Sequence, residues 1–204
     1  MQFQSHTEAV NEAFGLCLER GYLDRANLLV HWSPALQSVL SDIEVDRVEI
    51  SEGRKFFEVP SGKALVGQMF DVRYQVVGSS EAVTVSTTRP ETLLGDVAVA
   101  VHPDDHRYTD LLNRNVRLRH PLREDSLPLV ADRHGVDPEL GTGAVKITPH
   151  HDHNDFEVGQ RLGLPGLTIM DEEGLICFPA SESRFKLTPD GKSFVVSSAF
   201  CDLF

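Results

Sequence analysis

The stretch GTGAVKITPHHDHND, residues 141–155, gathers His150, His151, Asp152, His153 and Asp155 into six positions just behind Lys146 and Thr148. Those side chains admit three readings: imidazole and carboxylate ligands for zinc, hydrogen-bonding and acid-base work on a polar substrate, or a solvated turn. Strand alternation puts Lys146 and Thr148 on one face, with Val145 and Ile147 on the other, and Pro149 ends the strand. Beyond it Asp152 or Asn154 can cap a helix, which leaves Asp152 and Asp155 three apart on its first turn. Two acceptors then converge where the strand delivers Lys146.

A second group lies in VTVSTTRPETLLGD, residues 83–96, where a strand runs into Thr88-Arg89-Pro90-Glu91. A Thr followed three residues later by Glu is the pattern of a capping box, and Pro is tolerated in a first helical turn. Read blandly this is only a strand-to-helix corner; read chemically, Arg89 and Thr92 lie three apart and both approach a ligand at the helix start.

For zinc, a His151-x-His153 pair with a carboxylate is chemically adequate, but no third ligand segment has matching spacing. His102, His106, His120 and His134 fall in scattered, loop-like contexts, so no metal is expected. There is no GxSxG elbow, no GxxxxGK[ST] phosphate loop, and no His near Cys17, Cys177 or Cys201 in sequence. Any hydrolysis therefore needs water as the nucleophile, with the protein orienting the substrate.

These groups must be held by ordinary globular structure. The chain has 204 residues, 41% hydrophobic and 25% charged, enough for one sizeable core or one domain with an appendage. No run approaches the roughly 18 apolar residues of a membrane span, so no membrane partner is expected. The cysteines lack CxxC spacing and read as reduced thiols. The first residues, MQFQSHTEAVNEAF, carry neither a secretory signal nor the Arg-rich character of a transit peptide, so a cytoplasmic location is expected, with the mitochondrion as the alternative. A net charge of −12 excludes a whole-surface grip on nucleic acid while permitting a local basic pocket.

Val10, Phe14, Cys17 and Leu18 recur at helical spacing over residues 7–21, with Thr7 as the cap and Gly21 as the stop. Alternation of Ile43, Val45, Val48 and Ile50 predicts a strand entering a new unit near residue 45. From there to about 150 short β segments dominate: KFFEVP, GQMFDVRYQVV, EAVTVSTT, VAVAVHP, LPLVAD and GAVKITP. Helical insertions are expected at 104–114 and 152–163. The fold class is mixed α/β and mainly β: a β-barrel decorated by helices, with an N-terminal helical segment.

TTRPETLLGDVAVAVHP and GTGAVKITPHHDHNDFEVGQRLGL resemble the editing domain of class I valyl-tRNA synthetases, and SDIEVD within LVHWSPALQSVLSDIEVD resembles the valyl branch. The resemblance covers roughly residues 6–176. It implies an N-terminal helix and connecting segment over 1–45, an editing domain (aminoacyl-tRNA deacylase) over 46–176 and a divergent tail over 177–204. The implied activity is hydrolysis of threonine wrongly esterified to the valine tRNA. Arg89, Thr92, Lys146 and Thr148 would line the pocket for the terminal adenosine and ester, Asp152 would hold the α-ammonium, and Asp155 would accept from the threonine hydroxyl. Lys146, Thr148 and Asp152 are the expected catalytic set; Arg89, Thr92 and Asp155 the expected substrate-binding set. The partner would be the acceptor end of tRNA(Val) carrying threonine, bound by a monomer.

A valine-shaped pocket rejects threonine poorly because the two are nearly isosteric, a weakness known for valyl-tRNA synthetases themselves; a second pocket demanding a hydroxyl reverses the preference. Departures from the family pattern are His150 in place of Ala, His31 in place of Asn and Leu162 in place of His. Neither HIGH nor KMSKS occurs, so ATP-dependent valine activation is not expected of this chain, and editing needs no cofactor. A catalytically idle fragment or interaction module is the competing reading.

Overall fold

The computed structural model describes residues 2–46, 48, 55–59 and 62–177. In chain order the elements are α1 (Gln2–Glu19), β1 (His31–Ser33), β2 (Ser38–Leu40), a 3-10 turn (Asp42–Glu44), β3 (Lys55–Val59), β4 (Gly62–Val66), β5 (Phe70–Val76), β6 (Ala82–Thr87), a 3-10 turn (Pro90–Gly95), β7 (Ala98–Val101), α2 (Thr109–Asn113), β8 (Arg117–Arg119), β9 (Ser126–Ala131), β10 (Ala144–Ile147) and α3 (His153–Leu162).

Six of these strands form one sheet in the order β10-β7-β9-β8-β5-β6, with β7 and β9 parallel and every other neighbouring pair antiparallel. The two ends of the sheet, β10 and β6, approach each other, so the sheet is nearly a closed barrel. Its interior is filled by Tyr74 and Val76 of β5, Val83 and Val85 of β6, Val99 and Val101 of β7, Leu118 of β8, Leu127 and Leu129 of β9 and Ala144 of β10.

Strand β7 is buried on both faces, which explains its unbroken apolar run. Val99 and Val101 enter the barrel, while Ala98 and Ala100 pack with Ile147 and Val158 in a second cluster outside it. That cluster seats α3 on the barrel. A Cβ on Gly159 would lie 2.9 Å from Pro149 Cγ, so this close approach of helix and strand end requires glycine. Beside the barrel, β3 pairs with β4 and β1 with β2; Trp32 of the latter hairpin donates its indole N–H to Glu172 O at 2.8 Å.

All six β segments read from the sequence are strands. Segments β1, β2, β4 and β8 escaped that reading because three-residue strands and a strand opening on Gly-Lys show too little alternation. Helix α1 starts at Gln2 and not at the Thr7 cap, and ends at the expected Gly21: Tyr22 N donates to Cys17 O and Gly21 N to Leu18 O, with Gly21 at φ +72°. The strand expected at 43–50 is not formed at its start, where Asp42–Glu44 is a 3-10 turn closed by a Ser41/Glu44 capping box; Arg47, Glu49 and Ile50 lie outside the described residues. The 104–114 insertion is helical only over Thr109–Asn113, because the Asp105 carboxylate turns back to bind Arg107 N and Nε. Apart from Cys177, the 177–204 tail lies outside the described residues. Among the described residues no helix is long and apolar enough to cross a membrane.

Candidate functional site

Strand β10 carries the site because its inward face changes chemistry along its length. Ala144 is core, but two residues on, the same face presents Lys146 and then, just past the strand, Thr148. Lys146 is 6% exposed and Thr148 1%. An ammonium has three N–H donors, and here they face Thr92 Oγ1 at 2.7 Å, Thr148 Oγ1 at 3.3 Å and Asp96 Oδ1 at 3.3 Å. The contact with Asp96 is an ion pair without hydrogen-bond alignment, so Asp96 Oδ1 is buried on charge compensation alone.

Thr148 passes the chain of bonds onward. Its backbone N and its Oγ1 both donate to Asp155 Oδ2, at 2.8 and 2.9 Å. Asp155 is buried in the first turn of α3, and among the described residues no donor reaches its other oxygen, Oδ1. Burial pushes its carboxyl above the usual range, and the nearby Asp152 charge adds to this, against the Thr148 hydrogen bonds and Lys146. The result is a largely buried carboxylate with Oδ2 held and Oδ1 open to a ligand, an arrangement that rewards a ligand hydroxyl and penalises a methyl group in its place.

The turn after β6 supplies the opposite wall. Pro90 occupies its first position as expected, but Arg89, not Thr88, is the residue at the cap, and no side chain caps the turn. The Thr88/Glu91 capping box is therefore absent: Thr87 Oγ1 accepts from Arg89 N, and Glu91 instead binds Arg89 Nε at 3.3 Å. Arg89 Nη1 donates to His151 O, joining this turn to the segment ahead of α3. The Thr92 hydroxyl donates to Arg89 O at 3.0 Å while accepting from Lys146.

Thr92, Lys146, Thr148 and Asp155 thus form one continuous buried hydrogen-bonded chain, with Arg89 attached through its carbonyl. Asp152 stands apart from this chain. It is the N-cap of α3, its Oδ1 accepting from Asn154 N and Asp155 N, so it fixes the helix that delivers Asp155.

Four residues behind this chain were not singled out from sequence: Asp96, Tyr74, His120 and Arg123. Tyr74 Oη donates to Asp96 Oδ2 at 2.5 Å, and Arg123 Nη2 donates to Asp96 O at 2.7 Å. Burial pushes Asp96 up to about 6, opposed by Lys146 and by the Tyr74 hydroxyl, and pushes Tyr74 up as well. His120, expected in a loop-like context, is 1% exposed. Its Nδ1 accepts from Leu122 N and Arg123 N, so its Nε2 carries the proton and donates to Leu93 O. Burial and the Arg123 charge hold it down to about 3. The available signal was Asp96 at the end of TTRPETLLGD, but an Asp after Gly also reads as an ordinary turn.

The histidines of the opening stretch disperse. His150 Nδ1 lies 2.8 Å from Thr168 Oγ1, His151 Nε2 lies between Leu167 O and Ile169 N, and the His153 ring tilts against His31. Burial lowers His151 to about 4. Among the described residues no three His, Cys, Asp or Glu side chains group to hold a metal ion.

A nearly closed barrel with a buried lysine-threonine-aspartate chain sits in the same stretch of sequence that matches a family model, tRNA synthetases class I (I, L, M and V), over residues 1–190. The chain belongs to that family. More narrowly it is a valyl-tRNA synthetase-like region: it is 52% identical over 172 residues to valine-tRNA ligase of Homo sapiens, 46% over 172 residues to that of Schizosaccharomyces pombe, and 43% over 170 residues to that of Syntrophotalea carbinolica. These alignments cover 82%, 83% and 83% of this chain but only 13%, 17% and 17% of the relatives, so the chain spans a small part of their length. A solved LeuRS-tRNA-LeuAMS ternary complex of Agrobacterium radiobacter is also similar, at 20% identity and a TM-score of 0.41, over 78% of this chain and 27% of that one.

Proposed function

We propose that this chain is an editing domain that hydrolyses the ester of threonine wrongly attached to the valine tRNA. The observation that supports it best is Asp155: a buried carboxylate whose Oδ2 is held by two Thr148 donors while Oδ1 is unclaimed. Threonine offers a hydroxyl to that oxygen and valine offers a methyl, which leaves the carboxylate desolvated and unpaired. In this reading Arg89, Thr92, Lys146 and Thr148 face the terminal adenosine and ester, Asp152 meets the α-ammonium with its outer oxygen, and water attacks the ester carbonyl. The protein's contribution is to orient the ester and to place the Lys146 charge near the carbonyl oxygen as negative charge develops.

The partner is the acceptor end of tRNA(Val) carrying threonine. The chain acts as a monomer, in the cytoplasm, without a cofactor. The test is to incubate the purified chain with threonyl-tRNA(Val) and follow ester loss, with and without EDTA. Hydrolysis unaffected by chelation is expected; no hydrolysis above the spontaneous rate contradicts the reading, and activity lost to EDTA and restored by zinc would replace it with metal-dependent chemistry.

A further inference from the structure

Lys146 is buried with its ammonium hydrogen-bonded to Thr92 and Thr148 and ion-paired with Asp96, and only Asp96 among these carries charge. A buried ammonium without a counter-charge is costly, so whatever compensates Lys146 also decides where it points. The geometry points to Asp96 as the positioning residue of the site: it holds the Lys146 ammonium against Thr148, and through Thr148 sets the Asp155 carboxylate. This rests on the editing reading given above.

Every group around Asp96 fits that role. On β5, the Tyr74 hydroxyl binds Oδ2 at 2.5 Å; on β10, Lys146 lies 3.3 Å from Oδ1. From the segment after β8, neutral His120 lies with Nε2 4.0 Å from Oδ2, and Arg123 binds the Asp96 backbone carbonyl. Arg123 gives two of its donors to Asp125 and another to Leu94 O, and its charge also favours ionised Asp96, while Lys146 is ion-paired with the Asp96 carboxylate itself. Asp96 is 0% exposed and its carboxylate oxygens are taken by Tyr74 and Lys146, so it acts through the lysine.

Protonation of Asp96 removes the counter-charge. Since burial raises it to about 6, hydrolysis should fall on the acid side of that pH. The Tyr74 hydrogen bond favours the ionised form, so Tyr74→Phe should move this acid limb to higher pH, while Asp96→Asn should remove the part of the limb that responds to Tyr74→Phe, leave only that of Asp155, and lower kcat by about 10- to 100-fold with KM little changed.

The decisive comparison is a cycle of Asp96→Asn, Lys146→Met and the double variant, in the full 204-residue chain with threonyl-tRNA(Val) as probe. If Asp96 acts through Lys146, the double variant is no slower than Lys146→Met alone, and melts higher than Asp96→Asn because no buried charge is left unpaired. Independent losses that multiply in the double variant, or an acid limb that Tyr74→Phe leaves in place, would overturn the assignment. If Asp96→Asn alone fails to fold, Tyr74→Phe still decides by the limb. An inactive wild-type chain would refute the editing reading instead, and the melting temperatures of the cycle would then accept or reject the Asp96-Lys146 coupling by themselves.

Discussion

The barrel site and helix α1 contain apolar and polar residues at equally regular spacing, yet they are held in opposite ways. In α1 the helical stripe of Val10, Phe14 and Leu18 is 66%, 61% and 56% exposed, so the helix is closed by its own backbone and its Gly21 stop and contributes little to the core. At the site, Lys146, Thr148, Asp96 and Asp155 are all buried, and together they link β5, β10, the turn before β7 and α3 through their hydrogen bonds and ion pair. Periodicity predicts the element in both places; burial decides which one has its side chains fixed, and fixed side chains are what a site needs.

The widest separation between the two regions should appear in stability. Leu118→Ala, at a fully buried barrel position, should cost about 2–5 kcal/mol in chemical denaturation. Phe14→Ala in α1 should stay within about 0.5 kcal/mol, and a loss as large as that of Leu118→Ala would mean that α1 is packed in solution.

Asp155→Ala is next. It should slow threonyl-ester hydrolysis by about 10- to 150-fold without a parallel loss on the valyl ester, as for a charge-assisted hydrogen bond. It also leaves the Thr148 N–H unpaired between β10 and α3, so stability should fall by about 1–3 kcal/mol; Asp155→Asn keeps an acceptor there and should separate the two effects.

The buried titrating groups give the comparison a pH signature. His120 and His151 are lowered to about 3 and 4, so their stabilisation is fully present above the unfolded histidine value and is lost as pH falls through the native values. Asp96 is raised to about 6 and works the other way, gaining relative stability as pH falls from 6 toward its unfolded value. Asp155, also raised by burial, acts in the same direction as Asp96. The two histidine shifts outweigh them, so the melting temperature should drop between about pH 6.5 and 4. A rise in that window would mean that the two aspartates dominate.

A smaller effect should come from Asp152→Ala, which removes the N-cap of α3 and should cost about 0.5–2 kcal/mol. If its outer oxygen also meets the α-ammonium, threonyl and valyl esters should slow alike.

The sequence disclosed five of the six barrel strands because alternation, apolar runs and Gly/Pro boundaries are local signals, while the three-residue β8 shows too little pattern. It also disclosed the facing of Lys146 and Thr148, which depends on strand period alone, and narrowed the cap of α3 to Asp152 or Asn154, of which Asp152 takes it. It failed where two patterns compete: Thr88 and Glu91 fit a capping box, but Thr87 and Arg89 take those bonds. It could not disclose the Tyr74-Asp96-Lys146 arrangement, since residues 22 and 50 positions from Asp96 meet only through the closure of the sheet, and Tyr74 in a strand reads as core. His120 shows the same limit, its loop context hiding a fully buried ring bonded to the turn before β7.

In the proposed function this buried chain reads a hydroxyl. Its most direct test is the ratio of threonyl- to valyl-ester hydrolysis on tRNA(Val) by the wild-type chain and by Asp155→Asn, measured in parallel at neutral pH. The ratio should be well above one for wild type and collapse toward one in Asp155→Asn, with the threonyl rate falling and the valyl rate nearly constant. Equal rates on both esters in wild type, or a ratio unchanged by Asp155→Asn in a folded protein, would contradict it.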